Sequence, residues 1–507
     1  MARHEFPLLL MGLLTICYFW FNIISVDGFI AINWGRQASH RLIPSMVVDL
    51  LLQNNIRDLK LFSPADNVLK AFAGGDVAIT ITLPNEGLER VTTLEKANEW
   101  MEKRIDTYQK YNVNIKYLHV GIEPFSLLFR NRTFDNAVDV FRLVQQVLVQ
   151  KYGDKIKAST PHFTDVLIPN ITKPSDAEFR PDLTEKMNIF VRLLRSHNSP
   201  FVMNIFPIHY VAQNNWDIEF SFIENRSNFS VYDEKTKLVY RNAFEFAYDS
   251  FLTAIAKAGA PDLTLMVGQI GWPTDGYPGA NTSNAERFYR ELLPYLKSKK
   301  GTPLRPGVSI DVYLHSLVDE NMNWITYGSF QRHWGVYRSN GEPKYKIDFT
   351  GNGQDIYPTT AKGVILMPKR WCVYNGRTNN LKDVNEQFNM ACSAADCTAL
   401  SPGGSCSHLN FNQNVSYAFN RYFQSKAQSS TDACDFKGFG MIVPDDPSDG
   451  TCKFQVEILA ADYQDNGGLN TNKKGKKSYG TKLHGFSASK LLLMYFGLLV
   501  LSIVHVL

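Results

Sequence analysis

No cysteine lies between Cys17 and Cys372 of this 507-residue chain. A stretch of that length without disulfides must be held together by its own hydrophobic core, and the 44% of hydrophobic residues is ordinary for a globular protein. The other six of the seven cysteines all fall between Cys372 and Cys452. This clustering predicts a compact disulfide-bonded module and an oxidising compartment.

The chain also lacks an excess of charge of either sign, because 53 basic residues face 49 acidic ones for a net charge of +4. Nucleic acid is therefore not expected as a partner. No group of His, Cys and Asp residues has the spacing of metal ligands, and no glycine-rich phosphate loop follows a strand-like segment. We accordingly expect no metal and no organic cofactor.

An apolar run from Leu8 to Ile24 near the N-terminus follows two basic residues and ends in small ones. This pattern predicts a secretory signal peptide over residues 1–28, with a membrane anchor as the alternative. Asn-X-Ser/Thr sequons in a secreted chain are candidate N-glycosylation sites. The six sequons are at Asn131, Asn170, Asn225, Asn228, Asn281 and Asn414.

The C-terminal segment has small residues from Ser478, then a polar spacer, then the apolar tail Leu491 to Leu507. This order matches the signal for a glycolipid (GPI) anchor. We predict attachment at Ser478, with residues 457–478 as a polar linker and residues 479–507 as a removed propeptide. The alternative attachment sites are Gly467, Gly475 and Gly485. The protein is then expected on the outer face of the plasma membrane, at the cell wall or plasmodesmata.

Strand-like and helix-like segments alternate through residues 29–348, and the strand-like ones have the continuous Val, Ile and Leu content of buried parallel strands. Eight strand–helix units predict an α/β fold, a (β/α)8 TIM barrel. Residues 349–369 are then expected to form a linker or an extension that caps the barrel. The predicted strands are Ile30–Trp34, Asp58–Phe62, Val77–Leu83, Ile115–Glu123, Lys155–Ser159, Phe201–Phe206, Thr264–Ile270 and Gly307–Leu314.

The segment Gly268-Gln269-Ile270-Gly271-Trp272-Pro273 ends the seventh of these strands. It resembles the nucleophile strand of glycoside hydrolase family 17, the plant endo-1,3-β-glucanases, whose pattern is Gly-Glu-Ile-Gly-Trp-Pro. The resemblance extends over the whole barrel region and implies action on β-1,3-glucan such as callose. Other segments that match are Ile32-Asn33-Trp34-Gly35, Leu59-Lys60-Leu61-Phe62, Asn204-Ile205-Phe206-Pro207 and Arg332-His333-Trp334-Gly335.

Retaining hydrolysis needs two carboxyl groups about 5 Å apart, one to protonate the leaving oxygen and one to attack the anomeric carbon. By resemblance, Glu123 occupies the acid/base position. The nucleophile position holds Gln269, whose neutral amide cannot form the glycosyl ester. The family usually has Asn before the acid, where this chain has Ile122, and often has Glu at the position of Gln331.

Further residues at the strand exits are candidates for sugar contact. Phe206 replaces a family tyrosine, and Trp272 and Trp334 offer aromatic faces, although core packing is an equal alternative for both tryptophans. Glu320 matches the position of a family glutamate. Asp275 is a less favoured substitute for the missing nucleophile, because displacements of about 1 Å already damage catalysis.

The cysteine-rich segment, residues 370–456, allows fifteen pairings of its six cysteines. Its motifs, among them Pro402-Gly403-Gly404-Ser405-Cys406, resemble carbohydrate-binding module family 43, the X8 type. The resemblance implies a small, mainly helical fold that binds β-1,3-glucan, with Trp371 and Tyr422 as sugar contacts. It also implies the bridges Cys372–Cys434, Cys392–Cys452 and Cys397–Cys406.

Two functions are consistent with these residues. The first is a monomeric, surface-anchored glucan endo-1,3-β-D-glucosidase that acts on callose or a related wall glucan. The second is a protein that binds the same glucan without cleaving it. Gln269, Ile122 and Gln331 favour the second, because they keep a polar cleft while removing groups that hydrolysis requires.

Overall fold

The computed structural model describes residues 28–129, 135–378 and 380–459. One parallel sheet contains nine strand segments, two of which flank Thr160 and form a single interrupted strand, so the sheet has eight strand positions. They are β1 Ile30–Trp34, β2 Asp58–Leu61, β3 Ala78–Leu83, β4 Ile115–Val120, β5 Lys157–Ser159 with Pro161–Phe163, β6 Phe201–Asn204, β7 Leu265–Ile270 and β8 Asp311–Leu314. The first half of β5 pairs with β4 and the second half with β6, while β1 pairs with β2 and β8. The ring is therefore closed, which confirms the predicted barrel.

Helices alternate with the strands along the chain. They are α1 Pro44–Gln53, α2 Asp66–Ala71, α3 Leu94–Met101, α4 Ala137–Tyr152, α5 Thr184–Ser196, α6 Pro207–Gln213, α7 Ala243–Lys257 and α8 Thr282–Lys297. Asparagine side chains begin two of them, since Asn242 accepts from the Glu245 N–H of α7 and Asn281 from the Asn284 N–H of α8. Within the ranges given above, no helix is long and apolar enough to cross a bilayer.

The interior of the barrel changes character along its axis. At the N-terminal end, Ala31, Val202, Met266 and Tyr313 form a small apolar cluster of their own. Two residues further along the same strands come Asn33, Asn204, Gly268 and His315. Because alternate residues of a strand face the same side, the inner layer becomes polar at the strand exits. This is the end at which barrel enzymes carry their sites.

The C-terminal module is small, helical and disulfide-bonded, as predicted. Strands β9 Trp371–Tyr374 and β10 Gly440–Val443 pair antiparallel, and helices α9 Leu381–Ala394 and α10 Phe411–Ser425 pack beside them. A capping box of Asn410 and Gln413 begins α10. The module core stacks Phe419 on Phe436, with ring centroids 3.7 Å apart.

The disulfide pairing differs from the expected one at two of three bridges. Cys372–Cys434 is present, but the others are Cys392–Cys397 and Cys406–Cys452, so Cys392–Cys452 and Cys397–Cys406 were wrong. The helix α9 carries Cys392 in its last turn, and the chain turns at once so that Cys397 comes back beside it, with Cα atoms 5.4 Å apart. Spacing along the sequence does not reveal such a turn.

Mass spectrometry of the unreduced protein tests this pairing. Cleavage on the carboxyl side of Leu400, combined with trypsin, separates Cys406 from Cys392 and Cys397. We expect a fragment that holds Cys392 and Cys397 in an internal disulfide and is joined to no other fragment. The Cys406 fragment should remain joined to the fragment containing Cys452. A peptide with Cys392 joined to Cys452 would contradict the structure.

Residues 349–369 are a packed extension of the barrel rather than a free spacer. The Thr359 N–H donates to Asn54 Oδ1 of the segment after α1 (2.8 Å), and the Tyr337 hydroxyl donates to the Thr359 carbonyl (3.1 Å). The Met367 N–H donates to the Glu457 carbonyl at the end of the module (2.9 Å). The barrel and the module consequently belong to one compact unit.

Candidate active-site cleft

Glu123 lies just beyond β4, in a turn that the backbone holds in an unusual conformation. Gly121 has φ +82° and Glu123 has φ +49°, both in the left-handed region. Asn85 fixes the residue between them, because its Oδ1 accepts from the Ile122 N–H (2.7 Å) and its Nδ2 donates to the Ile122 carbonyl (2.9 Å). This turn brings the Glu123 carboxyl to Asn204, whose Nδ2 donates to Oε1 at 2.5 Å.

The same asparagine connects Glu123 to Gln269. Along β6 and β7 the pairing runs Met203 with Val267 and then Asn204 with Gln269, so β7 carries one extra residue at Gly268. Such a bulge breaks the regular alternation of side chains next to Gln269. Glycine is needed there, since a Cβ on Gly268 would lie 2.5 Å from Val202 Cγ1 and 2.8 Å from Asn204 Oδ1. The fold therefore places the acid at the exit of β4 and the amide at the exit of β7, and Asn204 of the intervening strand β6 contacts the acid and pairs with Gln269.

A buried lysine lies beneath this pair, and the sequence did not single it out. Lys60 of β2 is 1% exposed, and its Nζ donates to the Gly268 carbonyl at 3.3 Å. Burial lowers the pKa of the Lys60 ammonium to about 7, although the charge of Glu123 opposes the shift. The signal available in the sequence was a lysine inside the otherwise apolar run Leu59-Lys60-Leu61.

Glu123 is suited to donate a proton near neutrality. Burial raises its pKa to about 7, and the charge of Asp165 adds to the increase. The hydrogen bond from Asn204 and the charge of Lys60 act in the opposite direction. A carboxylic acid that stays protonated in mild acid is what the leaving oxygen of a glycoside requires. The raised pKa of Glu123 is consistent with the predicted acid/base role.

The apolar wall of the cleft is built on Phe206. Its ring is half-buried and lies 4.7 Å from the Trp334 ring and 5.7 Å from the His315 ring. Trp334 is only 3% exposed, and its Nε1 donates to Gln331 Oε1 at 3.1 Å. Phe206 is therefore the more accessible of the two rings, and Trp334, which packs against it, is held by Gln331.

Two further predicted sugar contacts, like Trp334, have buried side chains. Trp272 is 0% exposed, stacks on Phe222 at 4.7 Å, and donates its Nε1–H to the Gly279 carbonyl. Trp371 of the module is 5% exposed and donates to the Phe454 carbonyl at 2.7 Å. A sequence motif identifies the residue, but it does not predict whether neighbouring elements bury its side chain. Tyr422 is half-buried, with its ring 5.5 Å from that of Phe436.

The remaining acidic candidates are engaged elsewhere. Glu320 is 7% exposed and accepts from the Gln37 N–H at 2.7 Å, while burial raises its pKa to about 7. Asp275 accepts from the backbone N–H (2.8 Å) and the hydroxyl (2.5 Å) of Ser405 in the module. Asp275 therefore joins the two domains, and its two carboxylate oxygens are engaged in that contact.

The modification sites differ in accessibility. Asn170, Asn228 and Asn281 are exposed, and Asn225 and Asn414 are half-buried. Asn131 and Ser478 lie outside the described residues. N-glycosylation and anchor attachment at these positions remain predictions.

Replacing Lys60 by Met is expected to change how stability depends on pH. The folded pKa of Lys60 lies below its usual value of 10.5, so in the parent the penalty for burying the ammonium disappears as the pH rises from about 7 to about 10. The variant lacks this increase in the free energy of unfolding, and its Glu123 must ionise without a neighbouring cation. Between about pH 6 and pH 9, the free energy of unfolding of the variant, measured with urea, should fall by about 1–3 kcal/mol relative to that of the parent, at about 1.4 kcal/mol per pKa unit. A constant difference across that range would contradict this electrostatic interpretation.

Comparisons with known proteins agree with this geometry. The model of glycosyl hydrolases family 17 matches residues 30–349, and the X8 domain model matches residues 370–441. Glucan endo-1,3-beta-glucosidase 8 of Arabidopsis thaliana is 34% identical over 86% of this chain and 91% of its own. Glucan endo-1,3-beta-glucosidase 5 of the same plant is 36% identical over 87% and 90%.

Solved structures show the same barrel. CJP38, a beta-1,3-glucanase and allergen of Cryptomeria japonica pollen, superposes with a TM-score of 0.60 at 28% identity, covering 64% of this chain and 99% of that one. A structure from a study of two plant beta-glucan endohydrolases with distinct substrate specificities gives a TM-score of 0.56 at 27% identity, over 63% and 99%. With matches that span both the barrel and the module, this chain belongs to glycosyl hydrolase family 17 and carries a C-terminal X8 domain.

Proposed function

We propose that this protein binds β-1,3-glucan at the plant cell surface and does not cleave it by the retaining mechanism. The observation that carries the proposal is the neutral Gln269 at the exit of β7, paired with the asparagine that holds the acid Glu123. A carboxamide does not displace a sugar leaving group, so the covalent intermediate of retaining hydrolysis cannot form there.

The other carboxyl groups around the cleft are held in structural roles. Asp165 Oδ2 accepts from the Ser126 hydroxyl (2.7 Å) and the Leu127 N–H (2.8 Å). Asp275 binds Ser405 of the module, and Glu320 binds the backbone of Gln37. Bringing any of them to the position of Gln269 would break these bonds, and displacements of about 1 Å already reduce catalysis strongly.

The aromatic and hydrogen-bonding side chains of the cleft support glucan binding. Phe206 presents an aromatic face, and Asn204 and Glu123 provide hydrogen-bonding groups at the barrel mouth. The relatives are named for activity on 1,3-β-glucan, and the chain carries an X8 domain beside the cleft. The ligand we propose is therefore a 1,3-β-linked glucan such as callose.

Weak hydrolysis is the second candidate, and one observation favours it. Glu123 has its pKa raised to about 7 and can protonate a leaving oxygen at mildly acidic pH. Without a nucleophile, the acid contributes on the order of 10²–10⁴-fold by itself. Any such activity should be lost in the Glu123→Gln variant.

We also propose secretion, a GPI anchor at Ser478 and a monomeric state on the outer face of the plasma membrane. The signal-like N-terminus, the apolar C-terminal tail and the sequons support this location. Release of the protein from plant membranes by a phosphatidylinositol-specific phospholipase is the expected result, whereas retention would contradict the anchor.

The test uses the secreted protein purified as residues 29–478. Isothermal titration with laminarin should show binding, and the release of reducing sugar should stay at the level of the Glu123→Gln variant. An activated fluorosugar should leave no adduct in the intact-mass spectrum. A sugar joined through an ester to the unmodified protein would overturn the proposal, and so would the absence of laminarin binding.

A further inference from the structure

A short loop after β8 exposes large apolar side chains that the site described so far does not use. In residues 322–328, here called the rim loop, Trp324 is 68% exposed, Ile325 47% and Tyr327 43%. Among the residues that the structure describes, Trp324 is the only exposed tryptophan. Clustered exposed aromatics mark a binding surface more often than a structural element.

The rim loop borders the cleft at both of its ends. The Met322 N–H donates to the Gln37 carbonyl at 2.9 Å, and the Gln37 N–H in turn binds Glu320. At the other end, the chain continues into Gln331 and Trp334, which support Phe206. Burial raises the pKa of Tyr327, and the charges of Glu123 and Asp165 raise it further.

The loop is fixed by hydrogen bonds at its base. Asn323 Nδ2 donates to the Gln331 carbonyl (3.1 Å), and Arg332 Nε donates to the Asn323 carbonyl (2.9 Å). Arg332 Nη1 then donates to Asp396 Oδ1 of the X8 domain at 3.0 Å. The X8 domain therefore fixes, through Arg332, the segment that carries the exposed aromatics.

We propose that Trp324 and Tyr327 form a stacking platform for the pyranose rings of a 1,3-β-glucan at the rim of the barrel cleft, and that Asp396 of the X8 domain positions this platform through Arg332. The inference rests on the proposed function, because it names the same ligand. Tyr and Trp pair a flat apolar face with a polar edge, which suits the alternating faces and hydroxyls of a sugar. In this proposal a glucan chain extends from the Phe206 ring in the cleft to the platform, which the chain segment through Gln331 and Trp334 joins to Phe206.

The X8 domain acquires a second role from this arrangement. In a tethered module, binding by the module and binding by the barrel would be independent. Here Asp396 is 7% exposed, and it holds Arg332 and the Thr398 hydroxyl, so its loss frees the base of the rim loop. Asp396 is a positioning residue and does not itself touch the glucan.

The closing experiment titrates laminari-oligosaccharides into the secreted protein and its variants. Trp324→Ala and Tyr327→Ala together should weaken binding by about 10-fold or more, while Tyr111→Ala should leave it unchanged. Tyr111 is a matched control, because it is 55% exposed and precedes the start of β4 at the opposite end of the barrel. Unchanged affinity in the double variant overturns the platform and leaves the proposed function standing. If the parent does not bind at all, both fail.

Iodide quenching of tryptophan fluorescence reports on the platform directly. The quenchable fraction of the fluorescence should fall when the oligosaccharide binds, and Trp324→Ala should reduce it to the part contributed by the half-buried Trp100 and Trp216. Asp396→Ala should reduce affinity and raise quenching of the free protein, whereas Asp432→Ala on an exposed part of the module should change neither. Recovery by Asp396→Glu separates positioning from loss of fold. A concentration-dependent dimer that Trp324→Ala abolishes, with glucan affinity unchanged, would assign the surface to a second copy of the chain and overturn the inference.

Discussion

Gln269→Glu is expected to turn this protein into a retaining 1,3-β-glucan hydrolase. Loss of a covalent nucleophile typically costs roughly 10⁴–10⁶ in rate, equivalent to about 5–8 kcal/mol of barrier. The acid, its asparagine partner and the bulge that carries position 269 are already in place. We expect reducing sugar from laminarin to rise by about 10²-fold or more over the parent.

The hydrolysis rate of Gln269→Glu should stay below that of a complete enzyme, because the Ile122 side chain cannot form a hydrogen bond to the sugar 2-hydroxyl. Contacts to that hydroxyl supply several kcal/mol in the transition state. Adding Ile122→Asn to Gln269→Glu is expected to raise the rate further. The introduced carboxylate also adds a negative charge to the site, and a nearby like charge is expected to raise the pKa of the acid above its present value of about 7.

The matched controls for this prediction are two further variants. Gln269→Asn keeps an amide and should show no gain, and Glu123→Gln combined with Gln269→Glu should lose most of it. The fluorosugar adduct should appear only where the new carboxylate is present. A Gln269→Glu protein that still binds laminarin but shows no increase in hydrolysis would refute our account of the defect.

Arg421→Met is expected to destabilise the protein by about 3–5 kcal/mol, since it leaves a buried carboxylate without its cation. Arg421 Nη1 of α10 lies 3.4 Å from Glu457 Oε1, and the two side chains are 8% and 3% exposed. Glu457 Oε2 lies 3.4 Å from His40 Nδ1 of the barrel, and Asn321 Nδ2 donates to Glu457 Oε1 at 3.2 Å. The cluster therefore connects the module to two strand exits of the barrel.

The effect should depend on pH in a definite direction. Burial favours the neutral form of Glu457, but His40 and Arg421 outweigh it and hold the pKa of this carboxyl below its usual value. A depressed carboxyl pKa stabilises the folded state above the unfolded pKa of about 4.3 and loses that contribution as the pH falls through the folded value. The difference in the free energy of unfolding between the parent and Arg421→Met should accordingly become smaller at acidic pH.

Urea unfolding near pH 7 and near pH 4 measures both effects. Lys437→Met is the matched control, because Lys437 pairs with Glu386 at the same 3.4 Å but the two side chains are 61% and 67% exposed. Removing an exposed pair should cost less than about 1 kcal/mol. Arg421→Met combined with Glu457→Leu should recover part of the loss. Equal costs for Arg421→Met and Lys437→Met would contradict the buried cluster.

The sequence alone predicts the strands of the barrel and two of the residues at its mouth. Apolar runs of strand length, separated by helical stretches, placed the strands within a few residues, because burial on both faces leaves a continuous hydrophobic signature. The motif around Gln269 and the position of Glu123 followed from resemblance. The sequence did not reveal the partners of these residues, because Lys60, Asn204 and Gly268 come from three strands that only the closed barrel brings together.

Residue type and chain order alone determined the barrel, the cysteine-rich module and the absence of a carboxylate at position 269. These are local properties, written in the hydrophobic pattern and in the identity of single side chains. The tertiary structure decided the disulfide partners, the burial of Trp272 and Trp371, the bulge at Gly268 and the contact of the X8 domain with Arg332 at the base of the rim loop. Each of these features depends on contacts between segments that are distant in the sequence. Packing determines such contacts, and the spacing of residues along the chain does not.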